Sequence, residues 1–306
     1  MRCSLLLHTQ RVDLGDEFIS AAAIMAIARA AERAGFDAVA VTDHPMPQDA
    51  WMRSGGHHAL DPFVALSVAA AATTRLRLLT YIYVLAYRNP FLTAKAAASL
   101  DAVSGGRLIL GVAAGYLAPE FDALGVDFRE RDELADEAIR AMKVAWAEDG
   151  VHFEGRHFIA RGHTQRPRPV QQPHPPIWVG GNSRRAIRRA VELGDGWMPI
   201  FNPAAQAGRR RTPAIESAAD VRARLTYAAE LAHATGRTAP LEVAITARGL
   251  GTFGTPAFDR AAFLAEVEEL RAAGVTYLNV NLPAAARAQH ADRVAEFGEA
   301  ILPRLS

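Results

Sequence analysis

His44 is the residue whose type and position best suit acid and base chemistry. It comes shortly after Asp37 to Thr42, an apolar run of the kind that forms a buried strand. A free imidazole has a pKa of about 6.5, so a histidine at a strand end can accept or donate a proton at neutral pH. We therefore predict His44 as the catalytic residue and Tyr116, just beyond a later apolar run, as the second candidate. The alternative is a histidine that only covers the end of the strand.

A second candidate site lies between Pro175 and Ser183, where a short apolar run ends in two glycines. A helical pattern begins there behind an Asn and a Ser, both good N-cap residues. A helix N-terminus carries about half a positive charge, and glycine lets a ligand approach the backbone closely, so a phosphate can bind there. Arg184 and Arg185 add positive charge in the first turn, where Asp or Glu would suit the helix better. The pattern indicates an anionic ligand, and a plain strand-to-helix turn is the alternative.

The composition is that of a soluble globular protein without a highly charged partner. Half of the residues are hydrophobic and 22% are charged. The chain has 34 Lys and Arg against 33 Asp and Glu, a net charge of +1, which gives no reason to expect nucleic acid or a membrane surface as a partner. No apolar stretch approaches the roughly 18 residues of a membrane span, and the N-terminal run is too short for a signal peptide. We expect a cytoplasmic protein.

Cysteine and histidine usage predicts no metal site. Cys3 is the only cysteine, which excludes an internal disulfide and a cysteine-rich zinc site, and its apolar surroundings predict a buried, inert thiol. His57 and His58 are adjacent, but no carboxylate or further histidine stands at a ligand spacing from them. We therefore interpret these two histidines as a solvated pair in a loop.

The elements that must position these residues follow a repeating pattern. Eight apolar runs alternate with eight helical patterns, of which the first spans Glu17 to Ala34. Continuous apolar strands are typical of parallel sheets that are covered on both faces. We therefore predict an α/β fold, a single (β/α)₈ TIM barrel formed by residues 1–306 as one domain, with a doubly wound open sheet as the alternative. The predicted strands are Arg2–Leu7, Asp37–Thr42, Arg75–Leu85, Arg107–Val112, Ile177–Val179, Gly196–Ile200, Leu241–Thr246 and Val275–Asn281.

Two segments depart from this pattern. Val151 to Gln172 is aromatic, basic and proline-rich, which predicts an inserted β-ribbon followed by extended chain. The loop Phe201 to Glu216 follows the sixth strand and carries the basic run Arg209 to Arg211, so we interpret it as a candidate lid.

In a barrel of this kind the C-terminal ends of the strands line the active site. That rule brings His44, the end of the third strand, the end of the fourth and the glycine pair to one mouth. Aromatic side chains near these ends can stack on a flat ring, or each can pack beneath the mouth. Together with the phosphate site, they favour a ligand with a ring at one end and a phosphate at the other. These aromatic residues are Tyr81, Tyr83, Tyr116 and Trp197.

Seven motifs, in order along roughly half of the chain, resemble those of the bacterial luciferase-like oxidoreductases. Within that family they are most similar to the branch that uses the deazaflavin coenzyme F420. The motifs are Ala-Val-Thr-Asp-His44, Asp61-Pro-Phe, Tyr87-Arg-Asn-Pro90, Leu100-Asp-Ala-Val-Ser-Gly-Gly-Arg-Leu-Ile-Leu-Gly-Val112, Glu120-Phe-x-Ala-Leu-Gly125, Arg166-Pro-Arg-Pro-Val-Gln171, and Pro176-Ile-Trp-Val-Gly-Gly-Asn182 through Gly194-Asp-Gly-Trp197.

The resemblance implies a TIM-type barrel with the coenzyme lying across the strand ends. In the family, a bulge in the third strand that contains a non-prolyl cis peptide supports the ring, and the matching peptide here is Tyr81-Ile82. Family members usually have Gly or Ser in place of Tyr81. A sugar-phosphate dehydrogenase branch has a catalytic Glu at the position of Tyr116, so that chemistry and that substrate are not expected here. The resemblance also implies a homodimer.

We therefore expect an F420-dependent oxidoreductase that transfers a hydride between F420 and a small organic substrate. The alternative is an FMN-dependent monooxygenase that uses reduced flavin and oxygen, and a non-catalytic flavin or deazaflavin carrier is a third reading. His44 would donate or accept the proton, with Tyr116 as second choice. The predicted coenzyme contacts are Asp43, His44, Tyr81, Ile82, Ala114, Gly180, Gly181, Asn182, Ser183 and Arg184.

Overall fold

The apolar runs become buried strands, and a computed structural model that describes residues 1–305 joins them into a closed barrel of eight parallel strands. Closure occurs where the third strand pairs with the fifth strand of the chain, Leu78 with Leu108 and Leu79 with Ile109. The predicted barrel is confirmed and the open sheet is wrong. The strands are β1 (Arg2–Leu6), β2 (Ala38–Val41), β3 (Arg77–Thr80), its continuation β4 (Tyr83–Val84), β5 (Leu108–Ala113), β6 (Val151–Glu154), β7 (Ile159–His163), β8 (Ile177–Gly180), β9 (Gly196–Met198), β10 (Glu242–Thr246) and β11 (Tyr277–Val280).

Helices connect the strands, and several begin at the predicted caps. The side chains of Asp61, Asn89 and Ser183 each accept a hydrogen bond from a backbone N–H of the first turn that follows. The helices are α1 (Ala21–Ala34), α2 (Asp49–Arg53), α3 (Pro62–Ala72), α4 (Pro90–Ser104), α5 (Ala118–Ala123), α6 (Arg131–Ala147), α7 (Arg184–Leu193), α8 (Ala207–Arg210), α9 (Ala218–Ala234), α10 (Arg260–Ala272) and α11 (Arg287–Ala300).

The structure corrects the start of the first helix and adds short helices within the loops. Glu17 does not begin α1, because its carboxylate accepts the N–H of Arg287 at the start of α11, and Ser20 caps α1 instead. Helices α2 and α5 fall in segments for which no element was predicted. Each has at most six residues, too few for a helical period to be visible in a sequence.

The insertion is a β-ribbon, as expected, since β6 and β7 pair antiparallel to each other and not to the barrel. Cys3 is fully buried in the core, which agrees with an inert thiol. Within residues 1–305 no helix is both long and apolar enough to cross a membrane.

The barrel interior is filled by large side chains that require small neighbours. Trp178, Met198 and Tyr277 pack there with Leu79, Ile109 and three alanines. On β5, a Cβ at Gly111 would overlap the carbonyl oxygen of Thr80 and the side chain of Met198. Gly111 therefore lets β3 and β5 approach each other closely. The hydroxyl of Thr80 donates to the carbonyl oxygen of Gly111 at 2.7 Å.

The Gly111→Ala substitution tests this packing. We expect a loss of about 3 kcal/mol in the free energy of unfolding, because the added methyl group meets backbone and not a flexible side chain. The matched control is Gly251→Ala, where a Cβ would have no neighbour within 4 Å and the free energy should change by about 0.5 kcal/mol or less. Equal unfolding curves for the two variants would contradict the packing argument.

Candidate active site

A buried carboxylate, Glu120 of α5, binds His44 at the end of β2. The Nδ1 atom of His44 lies 3.1 Å from Oε2 of Glu120, and the two side chains are 10% and 0% exposed. The hydroxyl of Tyr87 donates to the same oxygen at 2.8 Å, and the N–H of Met46 donates to Oε1 at 2.9 Å. Three donors from two loops therefore converge on one carboxylate at the barrel mouth.

This contact determines how His44 can react. Burial alone would raise the pKa of Glu120, but the hydrogen bonds from His44, Met46 and Tyr87 outweigh it and hold the pKa below its usual range. An ionised carboxylate can only accept, so Nδ1 of His44 carries a hydrogen. Within residues 1–305, Nε2 of His44 makes no hydrogen bond. Nε2 of His44 can therefore exchange a proton with a ligand, while Glu120 stabilises the charged ring of His44.

Glu120 was missed as a site residue, although it stands in a motif quoted above. An acidic residue just behind Pro119 is typical of a helix start, where it suits the helix dipole. Only the structure reveals its role: Glu120 and Phe121 are both fully buried, and a buried carboxylate requires partners.

Asp43 has a different task from its neighbour. Its carboxylate binds the guanidinium of Arg88 at 2.6 and 2.9 Å and accepts the N–H of Val84 at 3.0 Å. The ion pair joins the end of β2 to β4 and to the chain beyond it. Asp43 therefore positions the loop that contains His44, and its role as a coenzyme contact remains a prediction.

The third strand breaks at Tyr81-Ile82, and the peptide between them is cis, as the resemblance implied. The hydroxyl of Tyr81 lies 2.6 Å from Oγ1 of Thr246 on β10, so its ring spans the barrel just below the mouth. Burial raises the pKa of Tyr81. Cδ1 of Ile82 occupies the place of a Cβ on Gly180, so that glycine accommodates the bulge from across the barrel.

The glycine stretch leaves fewer amides for a phosphate than its sequence indicates. Gly181, at φ +117°, donates its N–H to Met198, and the N–H of Asn182 donates to Oγ1 of Thr212 at 2.9 Å. The Asn182 side chain, fully buried, binds the backbone of Ile200 and of Pro213. Asn182 therefore ties the lid loop to the strand end.

Three amides remain at the start of α7. Within residues 1–305, the N–H groups of Ser183, Arg184 and Arg185 have no acceptor, while the Ser183 hydroxyl caps the N–H of Ala186 at 3.1 Å. These three groups and the helix dipole can hold a phosphate. The predicted phosphate site, Gly180 to Ser183, therefore shifts by two to three residues to Ser183, Arg184 and Arg185, and it remains a prediction.

The arginines of this region fall into two groups. Arg185 binds Glu133 and Asp136 of α6 at 3.0 Å each, which accounts for its place in the first turn without a ligand. Arg184 lies over the ring of Tyr227 and, within residues 1–305, has no carboxylate partner. The three lid arginines also lack a carboxylate partner within residues 1–305. Arg209 donates to Ser54 of the loop after β2, Arg210 donates to the carbonyl of Phe201, and the guanidinium of Arg211 lies over the ring of Phe128.

Of the aromatic candidates, two lie too deep to contact a ligand. Trp197 is fully buried and donates to the carbonyl of Gly181, and Tyr83 is 4% exposed beneath Arg88. For these two the packing alternative is correct. Tyr116 lies at the mouth, 6.2 Å from His44 between ring centroids. Burial raises its pKa more than the nearby Arg209 and Arg210 lower it. Ala114, at the end of β5, is half-buried.

The interpretation of His57 as solvated is wrong. Its ring packs 5.0 Å from that of His44, and Trp51 lies 4.5 Å from His44, both between centroids. Burial lowers the pKa of His57. His58 is exposed, as expected. His57 therefore belongs to the same site, where the sequence alone offered no periodic signal to place it.

A family model described as luciferase-like monooxygenase matches residues 1–300, nearly the whole of this barrel. The chain belongs to the luciferase-like monooxygenase family. A solved monooxygenase from Streptomyces bottropensis has the same fold, with a TM-score of 0.77 over 100% of both chains at 23% identity.

Two relatives within this family differ in coenzyme. An FMNH2-dependent dimethylsulfone monooxygenase from Pseudomonas putida is 34% identical over 58% of this chain and 48% of that protein. An F420-dependent glucose-6-phosphate dehydrogenase from Gordonia bronchialis is 33% identical over 64% of this chain and 58% of that protein. The matches thus span about half the length of these relatives. Both relatives are named for redox chemistry with a flavin or deazaflavin.

The Glu120→Gln substitution tests the buried carboxylate. At pH 7 we expect a loss of about 2 kcal/mol in the free energy of unfolding, because an amide cannot accept from His44, Met46 and Tyr87 at once. Because the pKa of Glu120 is lower in the folded than in the unfolded state, the ionised carboxylate stabilises the fold at pH values above the usual carboxyl pKa. This stabilisation is lost as the pH falls through the lowered, folded-state pKa. The difference between wild type and variant should therefore shrink in acid, as measured by denaturant unfolding at several pH values.

The control is Glu154→Gln on β6, whose exposed ion pair with Arg161 of β7 should contribute about 0.5 kcal/mol or less. A loss for Glu120→Gln no larger than that of the control, or one that grows in acid, would rule out an ionised Glu120.

Proposed function

We propose that this protein is an F420-dependent oxidoreductase that transfers a hydride between F420 and a small organic substrate. The observation that carries the proposal is the His44–Glu120 pair at the mouth of a luciferase-like barrel, where the imidazole Nε2 has no hydrogen-bond partner among residues 1–305. The relative from Gordonia bronchialis supports F420 as the coenzyme. FMN is the second candidate, and the relative from Pseudomonas putida supports it.

The residues at the mouth fit a coenzyme with a flat ring and an anionic tail. Tyr81 and Ile82 form a broad apolar bulge of the kind that can support a ring. The N–H groups of Ser183 to Arg185 can hold a phosphate. F420 carries further negative charge beyond its phosphate. Arg184 and the lid arginines, Arg209 to Arg211, supply cations that have no carboxylate partner in the described part of the chain. That surplus of positive charge favours F420 over FMN.

When bound, F420 supplies the hydride chemistry at its ring. The chain supplies the accompanying proton transfer. His44 accepts or donates at Nε2, and Glu120 holds Nδ1–H so that the imidazole keeps one tautomer and its charged form is stabilised. Tyr116 is the second candidate for the same proton. Hydrogen bonds from Arg209 to Ser54 join the two loops beside the site, which limits access of water.

We also propose a cytoplasmic homodimer. Val64 on α3 and Leu92 and Val103 on α4 are 63%, 72% and 74% exposed, and the two helices pack side by side. Exposed apolar side chains on two neighbouring helices support a protein contact at this face. Size-exclusion chromatography with light scattering measures the mass, and a monomer at micromolar concentration would contradict the dimer.

Titration of the purified protein with F420 and with FMN tests the coenzyme. We expect a micromolar or lower Kd for F420 from the change in its fluorescence, and weaker binding of FMN. The Arg184→Gln variant should raise the Kd for F420 about tenfold, because one charge-assisted contact is lost. Arg188→Gln on the exposed side of the same helix is the matched control and should leave the Kd unchanged.

Binding of FMN alone would overturn the F420 proposal in favour of a flavin monooxygenase. Turnover is then followed as F420 absorbance with a panel of alcohols, and with reduced F420 and a panel of carbonyl and other acceptors. Tight binding of F420 without turnover in any of these assays would favour a deazaflavin carrier over an enzyme.

A further inference from the structure

The loop between β2 and α3 brings a second imidazole into contact with His44. The rings of His57 and His44 lie 5.0 Å apart between centroids, at an interplanar angle of 83°. Trp51 of α2 packs on both rings, at 4.5 Å from His44 and 5.6 Å from His57. A Cβ on Gly56 would overlap the indole. Gly56 therefore leaves room for the indole of Trp51. Trp51 packs on both imidazole rings and so keeps His57 beside His44.

His57 is held as a neutral acceptor. Its Nδ1 lies 2.8 Å from the carbonyl oxygen of His58, and since a carbonyl only accepts, Nδ1 carries the hydrogen. Nε2 of the neutral ring therefore has a free lone pair. Burial lowers the pKa of His57 more than the bond to His58 raises it, and a positive charge on His44 lowers it further.

We propose that His57 is a second acid–base residue of the active site and that it shares one proton with His44. Two imidazolium ions about 5 Å apart repel each other, so protonation of one ring disfavours protonation of the other. Each Nδ1 is already committed, one to Glu120 and one to the His58 carbonyl. Only the two Nε2 atoms therefore exchange protons.

The second imidazole gives the reaction's proton a route to water. The side chain of His44 is 10% exposed, and His57 beside it is half-buried, so a proton taken up at Nε2 of His57 can be released from that same atom to water. When the proton moves on from His44, one N–H bond breaks and another forms, and no electrons are transferred. The transfer of the reaction's proton from His44 to His57 rests on the proposed function, whereas the sharing of one proton between the two rings does not.

The charges around the pair favour a single proton. One carboxylate, Glu120, contacts His44, and its charge also raises the pKa of His57. The charged form of His58 opposes a proton on His57, as that of His44 does. The titratable and charged groups that face the pair are Glu120 from α5, Tyr116 from the end of β5, His58 from the same loop, and Arg209 and Arg210 from α8.

Proton sharing is measured by NMR titration of the protein labelled with ¹⁵N at the histidine rings. In the His44→Gln variant we expect the pKa of His57 to rise by about one unit, because the neighbouring charge is gone. The control is His58→Gln, which removes an adjacent but exposed imidazole and should move the pKa of His57 less. An unchanged pKa of His57 in His44→Gln would overturn the sharing, whether or not the protein turns over F420.

The proton route is measured with His57→Phe, which keeps an aromatic ring against His44 and Trp51 but lacks the nitrogen atoms. Its melting temperature should match that of the wild type. We expect turnover of F420 to fall at least about tenfold in dilute buffer and to be restored by added imidazole, with the Kd for F420 unchanged. Turnover equal to wild type in dilute buffer, or no response to imidazole, would overturn the role of His57 in proton transfer.

Discussion

The buried carboxylate of Glu120 is the constraint on which the site depends. It has no Lys or Arg partner within residues 1–305, so its charge is balanced only by the donors that surround it. Those donors come from the loop after β2 and from the turn after β4, which must therefore close on α5. Because no arginine neutralises Glu120 within residues 1–305, its charge can stabilise a proton gained by His44. The same carboxylate therefore both holds the loops of the barrel mouth together and supports proton transfer at His44.

A second set of contacts joins the opposite side of the mouth to the same centre. Ile82 of the bulge covers Gly180. Asn182, just beyond, binds Ile200 shortly after β9 and both Thr212 and Pro213 of the lid loop. The strand break, the glycine pair and the lid therefore form one packed unit. The unpaired N–H groups at the start of α7 lie at its edge, and the lid contacts Ser54 of the loop that contains His57. Both halves of the proposed coenzyme site are positioned by contacts within the chain.

Much of this arrangement was predictable from the sequence, because eight apolar runs and their caps are local signals. The hydrophobic pattern could not show closure of the barrel. Closure depends on the pairing of β3 with β5, and a hydrophobic period carries no information on which strands pair. His44 could be placed by its position behind a strand. Glu120 and His57 could not, because a glutamate at a helix start and a histidine in a polar loop are ordinary until the fold brings them to His44. The amides of Gly181 and Asn182 were assigned to a ligand because their protein partners are distant in sequence.

A crystal structure of the protein with F420 tests the central claim most directly, that the His44–Glu120 pair serves a deazaflavin held across the barrel mouth. The account predicts the ring against the Tyr81-Ile82 bulge with its reactive carbon facing Nε2 of His44. It also predicts the phosphate at the N–H groups of Ser183, Arg184 and Arg185, with the acidic tail toward the lid arginines. A ring bound away from the bulge, or a His44 turned from Glu120 and without access to the ring, would contradict it.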